Sequence, residues 1–134
     1  MNILLWILQI LLGIYFVLVG LVHYIVPPGL PEQMTWMYEL PPILHYISGT
    51  AEILGGLGLI LPGVTRIKTW LTPLAALGLT VVMILATIYN LQRGDTTNLL
   101  AALSPMLLAA LSAFVAYGRW KIAPLPDRSA STEA

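Results

Sequence analysis

The stretch His45-Tyr-Ile-Ser-Gly-Thr-Ala-Glu52-Ile-Leu-Gly-Gly-Leu-Gly-Leu59 sets one carboxylate, Glu52, inside an apolar, glycine-rich run. The run extends from about Ile43 to Leu61 and reads as a membrane span. A charge near the centre of such a span costs about 2.5–3.5 kcal/mol on insertion scales. Residues of this kind normally face a bundle interior and have partners there. The rest of the chain therefore reads as the wall around Glu52.

Composition agrees. The 134 residues are 58% hydrophobic and 9% charged, with a mean hydropathy of +0.87. A soluble domain carries about 25% charged residues, so this chain could not cover a water-facing surface. The length allows one domain. Zero net charge gives no electrostatic argument for a nucleic acid partner. With no cysteine, the chain itself offers no disulfide, CxxC chemistry, persulfide carriage or thiolate metal site. The expected fold class is all-α, an integral membrane four-helix bundle in the lipid bilayer. A single transmembrane domain is expected over 1–120, followed by a polar C-terminal tail over 121–134.

The first helix is expected over residues 3–26, stopped by Pro27-Pro28. Its start lacks Lys and Arg, it is too long for a signal-peptide core, and no small-x-small site follows, so a retained helix is expected. Residues 27–42 carry prolines at 27, 28, 31, 41 and 42 together with Trp36, Met37 and Tyr38. That composition predicts an interfacial cap with at most one short turn over 32–40. The second helix is expected over about 43–61, ending at Pro62-Gly63, and the third over about 69–91, with Pro73 near its first turn. The fourth is expected over about 98–117, with a tolerated kink at Pro105. The tail, with Pro124 and Pro126, is expected to be mobile. Arg66, Lys68, Arg119, Lys121 and Arg128 fall at one end of this bundle, against Arg93 beside Asp95 at the other. The positive-inside rule then places both termini in the cytoplasm.

Small and polar residues mark packing faces in lipid. Gln9, Gly13, Phe16, Gly20 and His23 form one seam on the first helix, at 4-3-4-3 spacing. On the second helix, His45, Ser48, Gly49, Glu52, Gly55, Gly56 and Leu59 share an arc. Ala76, Thr80, Met83, Thr87 and Asn90 repeat the spacing on the third, and Ala102, Ala109, Ser112, Ala113 and Ala116 make a small face on the fourth. Depth completes the picture. His23, His45, Tyr46, Tyr89 and Asn90 lie toward the outer leaflet, and Glu52 lies about 10 Å below His45 on the same face. The pattern predicts a pocket with an acid at its floor and imidazoles at its mouth. Glu52 and His45 are the candidate catalytic, proton-handling residues. His23, Tyr46, Ser48, Tyr89 and Asn90 are the candidate ligand-binding residues.

Structural readings compete with each of these. Glu52 could be a protonated acid bonded to a neighbouring helix, the histidines could be satisfied at the interface, and the tyrosines could belong to an aromatic belt. The Gly55-Gly56-x-Gly58 cluster reads as close helix packing, because no strand precedes it and a phosphate loop at that depth would be unsolvated. Two His and one Glu could ligate a metal, but no HxxxH or ExxH spacing supports one, and no metal is assigned. Two histidines at similar depth leave a haem open. Quinone chemistry fits the same residues better, because Glu, His and Tyr can exchange protons with quinone carbonyls.

The segments Gly13-Ile-Tyr-Phe-Val-Leu-Val-Gly20-Leu-Val-His23, Gly49-Thr-Ala-Glu52-Ile-Leu-Gly55-Gly56-Leu-Gly58-Leu59-Ile-Leu-Pro62 and Ala86-Thr-Ile-Tyr89-Asn90 resemble the DoxX family of small bacterial four-helix membrane proteins. The likeness runs from Leu11 to about Tyr117, and Gly-x-x-Glu-x-x-Gly-Gly-x-Gly-Leu is its most specific part. It implies a compact bundle in the bacterial plasma membrane. Some members are named for a subunit of a thiosulfate:quinone oxidoreductase, and others are linked to membrane oxidoreductase complexes. Many members carry Lys where this chain has His23, which departs from any Lys–Glu52 ion pair. Without cysteine, a thiosulfate role would need a partner subunit or non-covalent binding.

Three functions are therefore weighed. The first is a quinone- or small-molecule-interacting subunit of a membrane oxidoreductase system, with a membrane or peripheral oxidoreductase partner. The second is a non-enzymatic scaffold or assembly factor that docks through its glycine face or Trp36. The third is a small proton-coupled carrier, for which four helices without internal repeat leave little room unless a homo-oligomer forms.

Overall fold

The computed structural model describes residues 1–93 and 99–128, apart from the side chains of Gln33, Ala101 and Ala102. The chain forms four helices, α1 (Asn2–Tyr24), α2 (Pro42–Thr65), α3 (Leu71–Gln92) and α4 (Leu99–Tyr117). A seven-residue 3-10 helix, Glu32–Tyr38, lies between α1 and α2 and is called the cap helix below. A five-residue π turn, Gly118–Ile122, extends α4. No strand occurs among the described residues. α1, α2 and α3 are each long and apolar enough to cross a membrane. Their outer faces are Leu, Ile and Val: Ile7, Leu11, Leu18, Leu54, Leu61 and Leu85 are all exposed. An apolar exterior around a core that holds the polar residues is the arrangement a bilayer demands.

Antiparallel α1 and α2 form the most extensive interface, followed by α3 with α4 and α2 with α3. Glycine sets the α1–α2 spacing. A Cβ at Gly56 would fall 2.6 Å from the Gly13 carbonyl oxygen, and one at Gly49 would fall 2.9 Å from that of Gly20. The two backbones therefore touch at points seven residues apart. Gln9, Gly13, Phe16, Gly20 and His23 are all buried on α1, and Gly49, Glu52, Gly56 and Leu59 are buried opposite. The core between the layers is Leu5, Leu12, Phe16, Leu59, Leu79, Met83 and Val115.

Pro62 does not end α2, which continues to Thr65 and stops at Arg66 in the left-handed conformation, φ 59°. A mid-helix proline strands the carbonyl four residues before it, here Gly58. The Thr72 hydroxyl donates to that oxygen at 3.2 Å, so the stranded acceptor is satisfied from α3 and the helix survives. α1 stops at Tyr24, just before the residues leading into Pro27-Pro28. The segment after the π turn is docked: Leu125 accepts from the Thr69 hydroxyl at 3.0 Å, and the Arg128 amide donates to Arg66 O at 2.7 Å. These two bonds tether residues 125 and 128 to the turn between α2 and α3. On α4, Ala109, Ser112 and Ala116 are buried but Ala113 is exposed, because the buried arc follows Pro105, Ala109, Ser112 and Ala116. The Ala102 side chain, Asp95 and Asn98 lie outside the described residues.

Candidate functional site: an acid and two imidazoles under a cap

Side chains on a helix lean toward its N-terminus. In an antiparallel pair they therefore lean in opposite directions along the bundle. His23, the penultimate residue of α1, leans inward, and Glu52, mid-way along α2, leans toward that same end of the bundle. They converge: His23 Nε2 lies 3.7 Å from Glu52 Oε1, and both residues are 3% exposed. On its other side, His23 Nδ1 is 2.9 Å from His45 Nδ1. His45 Nε2 is 2.9 Å from the carbonyl oxygen of Met37 in the cap helix.

The chemistry of these atoms orders the hydrogens. A carbonyl can only accept, so His45 Nε2 carries a hydrogen and donates to Met37 O. A neutral His45 then has a lone pair on Nδ1, and His23 Nδ1 must donate to it. A neutral His23 is left with a bare Nε2, which faces Glu52 and needs a proton from it. Moving that one proton from Glu52 to His23 gives an imidazolium beside a carboxylate. Passing the shared hydrogen on to His45 Nδ1 moves the positive charge to His45, while His23 Nε2–H turns to Glu52. One proton has three homes along a single line of atoms, and no other group need move far. The 3.7 Å separation is longer than a hydrogen bond and closes with a shift of about 0.7 Å.

The far end of the line is open in a chemical sense. Glu52 Oε2 is buried and has no hydrogen-bond partner among the described residues. A buried polar atom left unpaired is costly, and such an atom invites a proton, a water or a ligand oxygen.

The mouth of the expected pocket is closed. Met37 is fully buried, and the Trp36 ring lies 6.0 Å from the His23 ring, tilted by 56°. The Tyr38 hydroxyl ties the proline loop, accepting from the Leu30 amide at 3.0 Å and donating to Pro27 O at 2.9 Å. From α3, Arg93 pairs with Glu39 and reaches Trp36 O at 3.4 Å. The last turn of the cap helix is thus pinned to the proline loop, to α2 and to α3.

The structure brings Glu52, His23 and His45 together. Ser48 is half-buried on the same helix, and Asn90 is buried while Tyr89 is half-buried at the end of α3. Tyr46 points away: it is exposed, and its ring packs 5.6 Å from that of Tyr24. A residue next to His45 on a helix is rotated by about 100°, which carries it off the buried arc. Thr80 and Thr87 bond to their own helix, at Ala76 O and Met83 O, so they do not bridge to a neighbour. The two histidines and Glu52 are strung in a line and do not converge on a point. No group of three His, Asp or Glu among the described residues could hold a metal ion.

A second buried polar cluster lies at the opposite end, and sequence reading missed it. Arg119, counted there only as a loop charge, is 2% exposed. Its Nε donates to Gln9 Oε1, and its Nη1 donates to Asn2 Oδ1 at 2.6 Å and Ala123 O at 2.9 Å. Its Nη2 has no partner among the described residues. The guanidinium sits 5.3 Å from the Trp6 ring centre. Gln9 in turn donates to Leu59 O at 2.8 Å. Burial lowers the Arg119 pKa from its ordinary value, although a guanidinium stays charged at neutral pH. The available signal was Gln9, which opens the same seam that ends at His23.

Fold and site together define a small multi-span membrane bundle with a buried acid–imidazole line. The chain belongs to the DoxX-like family, whose model matches residues 7–125. No curated protein and no solved structure matches it.

Proposed function

We propose that this DoxX-like membrane protein is a proton-exchanging subunit for a small redox-active molecule of the quinone class, working with an oxidoreductase partner in the bacterial plasma membrane. Both termini face the cytoplasm in this reading, following the basic end of the bundle. Glu52 and His45 are the proton-handling residues, with His23 between them. The single observation that carries it is the line of close polar atoms from Met37 O through His45 and His23 to Glu52, with 3.7 Å at its last step and an unpartnered carboxyl oxygen at its end.

A quinone gains two electrons and two protons on becoming a quinol. The residues here supply protons only, so the electrons come from the partner. Glu52 donates the line's one shared proton to a reduced quinone oxygen; the second proton and the one that recharges the line come from water, and half-buried His45 is the member of the line nearest the surface. Ser48, Tyr89 and Asn90 remain ligand-side candidates on the faces around the line.

The scaffold alternative keeps only part of the surface it would dock through. Gly56 meets Gly13 and Val17, and Gly55 meets Leu79, so the glycine face is consumed inside the bundle. Trp36 is half-buried against His23. The test is Glu52→Gln in membranes that hold the partner system. Quinone-dependent activity should fall by on the order of 100-fold while the protein inserts at the normal level. Unchanged activity would reject the proposal.

A further inference from the structure

We propose that the end of the bundle opposite Glu52 holds a phosphate-binding site, built on Arg66 and Arg119 and suited to the headgroup of an anionic phospholipid. Four observations lead there. Arg119 is buried, and every group that holds it is a neutral oxygen of Asn2, Gln9 or Ala123, which leaves its positive charge without a described counter-charge. A buried charge lacking an opposite charge is expensive, and an anion nearby removes much of that expense. One of its nitrogens, Nη2, is buried with no partner among the described residues.

A cleft of about 380 Å³ adjoins this cation. Asn2, Trp6 and Ala123, the same residues that touch Arg119, line it together with Arg66 and Leu125. None of the residues that line the cleft is acidic. Its volume is in the range of small-ligand sites, about 300–1,000 Å³. An anion seated there would lie beside the exposed Arg66 guanidinium, with the Arg119 charge behind the Asn2, Trp6 and Ala123 wall. Arginine suits phosphate because its donors match the oxygens in a fork.

The surroundings select a lipid as the source. Trp70 and Trp120 are exposed at this same end, 60% and 56%, as is usual for rings at the headgroup level. Arg66, Lys68 and Lys121 are exposed there too. Basic residues near a membrane surface attract anionic lipid, by about fivefold each.

The test uses the full-length protein in neutral detergent, titrated with dioleoylphosphatidylglycerol, dioleoylphosphatidylcholine or inorganic phosphate. Binding is counted by native mass spectrometry, and the thermal midpoint is followed in parallel. Phosphatidylglycerol should bind at least about fivefold more tightly than phosphatidylcholine and should raise the midpoint. Arg66→Gln, on an exposed residue, should remove that preference, whereas Arg93→Gln at the opposite end should keep it. Arg119→Lys should weaken binding further; if it does not fold, Arg66→Gln decides alone. A midpoint shift with inorganic phosphate as well would mean that the site takes the phosphate group from either source. No shift with phosphate alongside a clear phosphatidylglycerol preference would assign the site to lipid. Equal binding of the two lipids together with no phosphate effect, or a preference that survives Arg66→Gln, overturns the proposal.

Discussion

His23 governs what Glu52 can do. With two nitrogens that face different partners, it can receive a proton from Glu52 on one side and pass one to His45 on the other. A lysine here would still pair with the acid, but its single ammonium cannot hand a proton through itself to His45. His23→Lys should therefore insert normally and lose proton-coupled activity by at least about tenfold, measured on quinone-dependent turnover of the membranes. Activity equal to that of the native chain would show that a charge partner for Glu52 is all that position supplies. The depth and face of Glu52 and His45 were legible from their seven-residue spacing on one helix. The bond between the two histidines was not, because it depends on the inward lean of His23 from another helix and on Met37, whose carbonyl fixes the hydrogen order.

The helices were legible where the pattern of small residues is strict. The 4-3-4-3 seam on α1 is buried throughout, because the glycines in it permit the backbones of α1 and α2 to touch. Gly56→Leu would drive a side chain against the Gly13 carbonyl, and overpacking of this kind costs about 1–3 kcal/mol. A lowered thermal midpoint in detergent is the expected result. The end of α2 was misread for a reason local sequence does not contain: Thr72, across the turn, supplies the hydrogen that Pro62 lacks. Thr72→Val should strand the Gly58 carbonyl and cost about 1–3 kcal/mol, again read as a midpoint loss. The docked segment 123–128 escaped notice similarly. Its prolines removed local structure, and its anchors are Thr69 and Arg66, more than fifty residues away in the chain.

At the scale of the whole molecule, the bundle divides into two polar ends separated by an apolar middle. One end holds the acid–imidazole line beneath a pinned cap helix, and the other holds a buried arginine among neutral oxygens, with tryptophans at the surface nearby. The amino-acid pattern conveyed the membrane bundle and the first of these ends. It did not convey the second, because a lone Arg119 after the last span looks like any loop charge until the chain folds it against Gln9 and Asn2. The central claim is that Glu52, His23 and His45 hold one proton in common. Infrared difference spectroscopy of the protein in lipid, stepped through pH in water and in heavy water, tests this directly. The account predicts a carboxylic-acid band that moves in heavy water, disappears in Glu52→Gln and shifts in His45→Phe. A spectrum in which that band is unaffected by His45→Phe, or is present unchanged in Glu52→Gln, would contradict it.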